Sequence, residues 1–320
     1  MARIFIGVDV CKEWLDAAVR NAPHAPKRFA NDPDGIDKLV AWVRDINPER
    51  VIFESTGQYQ KKALGALLAV SMPAVVVNAR QVRDFAKGLG QLAKTDAIDA
   101  GVLAHFGELV PTVVRPLPTP EIQQFQDFYD RRSQLVRILA VEKNHLHAAD
   151  SAKMKAHIEG HIRYLEKQIR ALEDRMNKFV ESCEAFRAKD EVLQSIPGVG
   201  PQISRTLLAH LPELGQGSRQ TITALVGLAP YNNDSGKQNH ARHIRGGRGK
   251  VRIGLYQSAV VAIRFCPEMR VFYAALKARG KASKVALVAV ARKLLVLANA
   301  LVRDMKQYET RTNSFCPKNA

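Results

Sequence analysis

The feature that most constrains this chain is a set of short apolar runs, each followed by a stretch with helical spacing. Ile4-Phe5-Ile6-Gly7-Val8 leads into Asp9, Arg50-Val51-Ile52-Phe53 into Glu54, and Pro73-Ala74-Val75-Val76-Val77 into Asn78. Runs this short and this rich in β-branched and aromatic residues read as buried strands. Trp14 to Val19 and Lys27 to Asn31 extend the first into a small meander, and Asp32-Pro33 opens a helix through Val43. Another helix is expected from about Gln58 to Val70. Strands alternating with helices predict an α/β sheet with parallel pairing after the initial hairpins.

Two of these strands close on an acid, at the edge of an α/β sheet that presents ligand-binding groups. Asp96 and Asp99 follow in Lys94-Thr95-Asp96-Ala97-Ile98-Asp99-Ala100. Their spacing puts both on one side of a helix that Ile98, Leu103, Ala104 and Phe106 pack against a core. Carboxylates so placed repel unless Lys94 or a divalent cation compensates them; the plainer reading is a solvated first turn, where acids complement the helix dipole. The ordered set Asp9, Glu54, Asp96 and Asp99 has only hard oxygen donors, which favours Mg²⁺ or Mn²⁺ over zinc. Two such ions are a standard arrangement for phosphodiester displacement.

The distribution of charge along the chain says more than its size. Of the net +17, residues 1–110 carry +1, residues 111–190 carry +2 and residues 191–320 carry +14. Such asymmetry points to a polyanion-binding C-terminal part, with nucleic acid a better partner than a membrane surface, since no basic amphipathic helix with an aromatic face stands out. Cys11, Cys183, Cys266 and Cys316 lack CxxC spacing, which argues against a zinc knuckle or a disulfide framework and fits a reducing cytoplasm. Neither a signal peptide nor a run of about 20 apolar residues is evident, so a soluble protein is expected.

Four prolines between Pro111 and Pro120 mark a linker. Beyond it, Ile158, Ile162, Leu165, Ile169, Leu172, Met176 and Phe179 form a heptad seam. The seam is able to pair with the helix holding Leu135, Ile138, Leu139 and Leu146, or with another subunit. Ile196-Pro197-Gly198-Val199-Gly200-Pro201, between two expected helices, looks like a helix-hairpin-helix turn, whose amides face a DNA phosphate. A polar loop then carries Ser235, and Arg242, His243, Arg245, Arg248, Lys250 and Arg252 follow within seventeen residues. A loop serine is ordinarily a turn former, but these cations are suited to holding a phosphate while a serine oxygen attacks it. Gly246-Gly247-Arg248-Gly249-Lys250 has the wrong spacing for a nucleotide-binding loop, and no strand precedes it.

Gly7-Val8-Asp9 with Lys12, Phe53-Glu54-Ser55-Thr56-Gly57, Asn78-Ala79 and Lys94 to Ala100 resemble the acidic domain of insertion-sequence family one-hundred-ten transposases, which include the Piv DNA invertases. Pro230 with Ser235-Gly236, Arg245-Gly246-Gly247 and Arg252 through Ala259 are similar to that family's C-terminal transposase domain. Where the family often has two adjacent basic residues before Leu-Tyr, this chain has Arg252-Ile253-Gly254.

The resemblance implies three parts: a ribonuclease H-like (RuvC-like) α/β domain over residues 1–112, a helical coiled-coil region over 121–187, and a mainly α-helical basic transposase domain over 191–305. It implies Asp9, Glu54, Asp96 and Asp99 as catalytic Mg²⁺ ligands and Ser235 as a nucleophile that forms a phosphoserine link to DNA. Arg242, Arg245, Arg248, Lys250, Arg252, Gly198 and Gly200 are the expected nucleic-acid contacts. The implied partners are DNA, a structured noncoding guide RNA for many members, and further copies of the chain, with the acids of one subunit facing the serine of another. The implied setting is the bacterial cytoplasm, at the nucleoid. The alternatives are a RuvC-like metal nuclease that cuts without Ser235, and a DNA-binding protein in which the acids are incidental.

Overall fold

The computed structural model describes residues 3–309 except 22, 56, 92–94, 115–118, 232, 233, 236, 237, 240 and 241; for residues 96, 97, 234, 235, 238 and 239 it describes the main chain. The chain divides into two compact units, Met1–Pro118 and Thr119–Ala320.

The first unit opens with β1 (Phe5–Val10), β2 (Trp14–Arg20) and β3 (Lys27–Ala30), an antiparallel meander. Then come α1 (Pro33–Ile46), β4 (Arg50–Glu54), α2 (Lys61–Ala69), β5 (Ala74–Val77), α3 (Ala79–Gly88) and α4 (Asp96–Leu109). β4 runs parallel to β1 and β5 parallel to β4, giving the sheet order β3-β2-β1-β4-β5. The expected meander followed by parallel strands is what forms. Helix α1 starts where the sequence says it should: the Asp32 carboxylate accepts from the Gly35 amide at 2.8 Å, and Pro33 fills the first turn, where no amide partner is needed.

Alternation along the strands sorts the core into two layers. Ile6, Val8, Leu15, Ala17, Val51 and Phe53 face Leu39, Val43 and Leu67 of α1 and α2. Phe5, Ile52, Val75 and Val77 face Val82, Leu103 and Phe106 of α3 and α4. Fully buried side chains such as Phe53 and Ile6 each contribute about 2 kcal/mol by burial.

The second unit is almost entirely helical. Helices α5 (Pro120–Ala148) and α6 (Ala152–Ser182) form a hairpin. The heptad seam finds its partner within the chain, with Leu165 and Ile169 packed on Leu135. Arg132 to Glu173 at 2.7 Å and Lys143 to Glu166 at 3.2 Å flank the seam. Then follow α7 (Glu184–Gln194), α8 (Pro201–His210), α9 (Arg219–Val226), the short strands β6 (Asp234–Ser235) and β7 (Gln238–Asn239), α10 (Gly249–Phe265), α11 (Pro267–Ala278) and α12 (Ser283–Asp304). Phe125 and Met176 from the helical hairpin share one core with Leu193, Leu207, Leu255 and Leu294. By length and composition α12 alone among the described residues is able to cross a membrane, which the sequence reading did not anticipate. Its Val290, Ala291, Leu294, Leu295 and Ala298 are core residues of this unit, which accounts for its apolar character.

Candidate functional site

Strand register gathers the first two acids. Val8 of β1 pairs with Phe53 of β4, and the next residues in these parallel strands are Asp9 and Glu54. They close neighbouring strands at one level, about 4.8 Å apart in the sheet direction. On the other side of β1, Asp9 pairs with Asp16 of β2, and Asp16 pairs with Arg28 of β3. Arg28, Asp16, Asp9 and Glu54 thus form one transverse row on the face that carries Phe5 and Ile52, the face covered by α3 and α4.

Glycine brings α4 to that row. A Cβ at Gly7 would lie 2.1 Å from the Ala100 carbonyl oxygen and 2.4 Å from the Ala104 amide, so helix backbone rests directly on strand backbone. At the other end, a Cβ on Gly107 would lie 2.1 Å from Cδ1 of Ile52. Ile52 pairs with Gly7, and Phe5 also neighbours Gly107, so α4 runs antiparallel to β1 with its first turn toward the Asp9 and Glu54 level. Thr95 caps that turn, its hydroxyl accepting from the Ile98 amide at 3.3 Å, and the Asp99 amide donates to the Thr95 carbonyl at 2.8 Å. Asp9, Glu54 and Asp99 are all half-buried, while Asp96 opens the helix with its side chain outside the described residues, as is Lys94. The far end of α4 is tied down through Glu108. Asn21 at 2.8 Å and Arg20 at 2.9 Å donate to that carboxylate and lower its pKa.

Like charges set opposite one another in a sheet repel. Arg28 relieves part of this by gripping Asp16 with Nε and Nη2 at 2.8 and 3.0 Å. Among the described residues no three His, Cys, Asp or Glu side chains converge into a metal-holding group; the fourth predicted ligand, Asp96, lies outside that statement. The donors assembled at this edge are carboxylate oxygens, the chemistry that suits Mg²⁺. Asp16 and Arg28 were not singled out in the sequence. Their signal lay in the hairpin: with Val10 paired to Leu15, the preceding residue Asp9 falls opposite Asp16.

In the second unit, Ser235 lies in β6 with its main chain paired to Gln238 of β7, near the tip of a hairpin closed by a bridge between Tyr231 and His243. Its side chain lies outside the described residues. Arg242 and Arg245 are exposed at the base of this hairpin, and the Arg245 guanidinium stands 5.6 Å from the centre of the Tyr231 ring. Arg248, Lys250 and Arg252 are bonded within this unit. Arg248 forks onto Glu213 at 2.5 and 2.6 Å and donates to the His210 carbonyl at 2.8 Å. Lys250 meets Asp130 at 2.5 Å, and Arg252 donates to the carbonyls of Val226 and Gly246. Burial alone would raise the Asp130 carboxyl, but His210 and Lys250 beside it lower its pKa to about 2.

Glycines in this unit serve close packing. Gly247, at φ +67°, would place a Cβ 2.3 Å from the Gly227 amide nitrogen, so the Gly246-Gly247 turn rests on the end of α9. Gly198, at φ +89°, would place one 2.6 Å from the Ser258 carbonyl oxygen, which seats the turn between α7 and α8 on α10. Gly200 instead is exposed and caps α8. An open pocket of about 520 Å³ lies between this turn and Gln257, Ser258 and Val261 of α10.

Comparison with known proteins gives two matched segments, the first of which continues past Pro118 through α5. A family model described as a transposase, of the IS110 DEDD type, matches residues 6–149, and one described as Transposase IS116/IS110/IS902 family matches residues 190–274. The pilin gene-inverting protein of Moraxella bovis is 26% identical over 324 residues, covering 97% of this chain and 99% of that protein. Its counterpart from Moraxella lacunata is equally similar. An uncharacterized 43.6 kDa protein of insertion element IS110 from Streptomyces coelicolor is 32% identical over 152 residues, 46% of this chain and 36% of that protein. The acidic sheet edge lies within the first matched segment and Ser235 within the second, and the chain belongs to the IS110 family of transposases.

Proposed function

We propose that this transposase cuts and rejoins DNA strands with two sets of residues, the acids of its first unit and Ser235 of its second. The observation that carries the reading is the strand register that sets Asp9 beside Glu54 under the first turn of α4. The sheet order, with an antiparallel meander followed by strands parallel to β1, supports a ribonuclease H-like, RuvC-like domain. An Mg²⁺ ion, or Mn²⁺ in its place, held by Asp9, Glu54, Asp96 and Asp99 would supply Lewis acidity at a phosphate oxygen. The packed α4 backbone and the strand ends position Asp9, Glu54 and Asp99 before DNA arrives, which is the part of the work that falls to the fold.

Ser235 acts as the nucleophile. Its Oγ forms a bond to phosphorus, the bond from phosphorus to the leaving deoxyribose oxygen breaks, the serine proton is lost, and the leaving oxygen takes up a proton. The phosphoserine link conserves the phosphodiester bond energy, so attack by a second strand's hydroxyl rejoins DNA without ATP. Arg242 and Arg245, exposed at the hairpin base, are the cations best placed to meet the phosphate backbone near Ser235. Full-length similarity to gene-inverting proteins supports a rearrangement that exchanges two DNA sites. As the family resemblance implies, the working form is a homo-oligomer, with a structured noncoding RNA as a further partner.

The test is a cleavage assay with Mg²⁺ on supercoiled DNA carrying the native element ends and flanking transcript. Wild type is compared with Ser235→Ala and Asp9→Ala, and products are examined for a protease-sensitive protein–DNA adduct. Loss of the adduct in both variants is expected. Cutting that persists in Ser235→Ala without an adduct would instead identify a hydrolytic metal nuclease.

A further inference from the structure

The chain has two tryptophans, and they are treated in opposite ways. Trp42 is 8% exposed, packed against Phe29 with ring centres 5.6 Å apart. Trp14 is 44% exposed, yet it is held firmly. Its amide donates to Cys11 Sγ at 3.2 Å, its carbonyl accepts from the Cys11 amide at 3.0 Å, and the Arg28 guanidinium stands 5.8 Å from its ring centre. That guanidinium is fixed in turn by its two bonds to Asp16. A large apolar ring that is propped by a cation and nearly half exposed is suited to act as a platform.

Its position decides what it faces. Trp14 precedes Asp16 by two residues on the same side of β2, about 7 Å along the strand from the transverse row of acids. Asn31 Nδ2 ties the Cys11 turn, at 2.9 Å, to the main chain of Tyr59 at 3.3 Å, in the loop that follows Glu54. Without a cation on its carboxylates this edge repels phosphates, and a neutral group beside the row adds attraction for a DNA strand that this repulsion does not oppose. A nucleobase stacked on an aromatic face is such a group, and stacking is tolerant of base identity.

We propose that Trp14 is a stacking platform for an unpaired DNA base next to the phosphate that is cut, positioned through the chain Asp16, Arg28, Trp14. The inference rests on the acidic row being where the strand is cut. Bases within a duplex already stack on their neighbours, so the platform takes only a base that has left the helix, and strand separation or base extrusion accompanies engagement at this edge.

The experiment uses full-length protein carrying Trp42→Phe, in which Trp14 is the single fluorescent tryptophan, with EDTA present so that no cutting occurs. It is titrated with a short single-stranded DNA, the matching duplex and an RNA of the same sequence. The expected result is quenching of Trp14 fluorescence by half or more with single-stranded DNA and, by filter binding of the same DNA, Kd about tenfold weaker in Trp14→Ala, with Trp14→Phe recovering most of the affinity. Unchanged fluorescence at saturating single-stranded DNA overturns the proposal, as does quenching only by duplex or only by RNA. If Trp42→Phe fails to fold, the difference between wild type and Trp14→Phe supplies the same signal. Because the readout needs neither Mg²⁺ nor Ser235, a protein that forms the adduct while Trp14 stays unquenched refutes the platform alone. One that shows quenching but no adduct refutes the phosphoserine link alone.

Discussion

The acidic edge of the first unit and the cationic segment of the second are opposite in more than sign. The first unit is nearly neutral overall, yet its register lines up Asp16, Asp9 and Glu54 side by side. Assembling like charges costs stability, and a row of this kind is characteristic of a functional site. Residues 191–320 carry +14, yet Arg248, Lys250 and Arg252 are bonded to Glu213, Asp130 and main-chain carbonyls, contacts that folding does explain. A charge total therefore describes the field that draws a polyanion in, while the contacts depend on which side chains the fold leaves exposed.

The comparison is broken most decisively at Asp9. Asp9→Asn is expected to reduce Mg²⁺-dependent strand cleavage at least about a hundredfold. Its thermal midpoint should stay level or rise, because a repelling charge opposite Asp16 has gone. An unchanged cleavage rate would sink the assignment of this edge. A midpoint that fell by many degrees would show that the row is structural after all. Gly7→Ala tests the same edge through the backbone. The new methyl meets the Ala100 carbonyl oxygen at 2.1 Å, so α4 has to lift, at a cost of about 2 kcal/mol or more. Chemical unfolding measures that loss, and cleavage should fall with it because Asp99 moves with the helix.

These residues also show how far the sequence could be read. The strands and their terminal acids were legible because short apolar runs ending in Asp9 and Glu54 have few other solutions. Asp16 and Arg28 were hidden because their meaning depends on two registers, each set by a turn. The heptad seam was visible but not its partner, since one apolar stripe serves equally for a neighbouring helix or another subunit; Leu135 resolves that locally. The glycines of the Arg245 to Lys250 segment have the wrong spacing for a nucleotide-binding loop, but what they do instead was not legible. Their role depends on Gly227, nineteen residues before Gly246, coming within backbone contact. Arg248 and Glu213 are 35 residues apart, beyond any local pattern.

Within the cationic segment, Arg248 and Arg245 should separate cleanly. Arg248→Met leaves Glu213 and the His210 carbonyl without their donor in a half-buried setting and is expected to cost about 2 kcal/mol of stability. The salt dependence of its DNA binding should barely change. Arg245→Met is expected to leave stability within about 0.5 kcal/mol and to reduce the slope of log affinity against log salt by about one. Filter binding across a salt series, beside urea unfolding, reads both. The reverse pattern would show that Arg248, not Arg245, meets the phosphates.

The smallest effect concerns Asp130, where a charged network serves the fold and leaves a pH signature. Its carboxyl titrates near 3.8 when unfolded and near 2 when folded, with His210 and Lys250 beside it. A depressed carboxylate pKa means that the unfolded chain binds the proton more tightly. The contribution is therefore complete above about pH 4 and is lost as pH falls through the folded value. Its full size, for a partly solvated group, is about 1 kcal/mol after screening. Asp130→Asn should accordingly be less stable than wild type by about that amount at pH 6, with the gap closing toward pH 2. Lys250→Met should remove part of the same gap, because Lys250 Nζ lies 2.5 Å from Asp130, while His210 retains the rest. A difference that stayed constant from pH 6 to pH 2 would mean that the side chain acts through packing, and Lys250 would return to the pool of cations available to DNA.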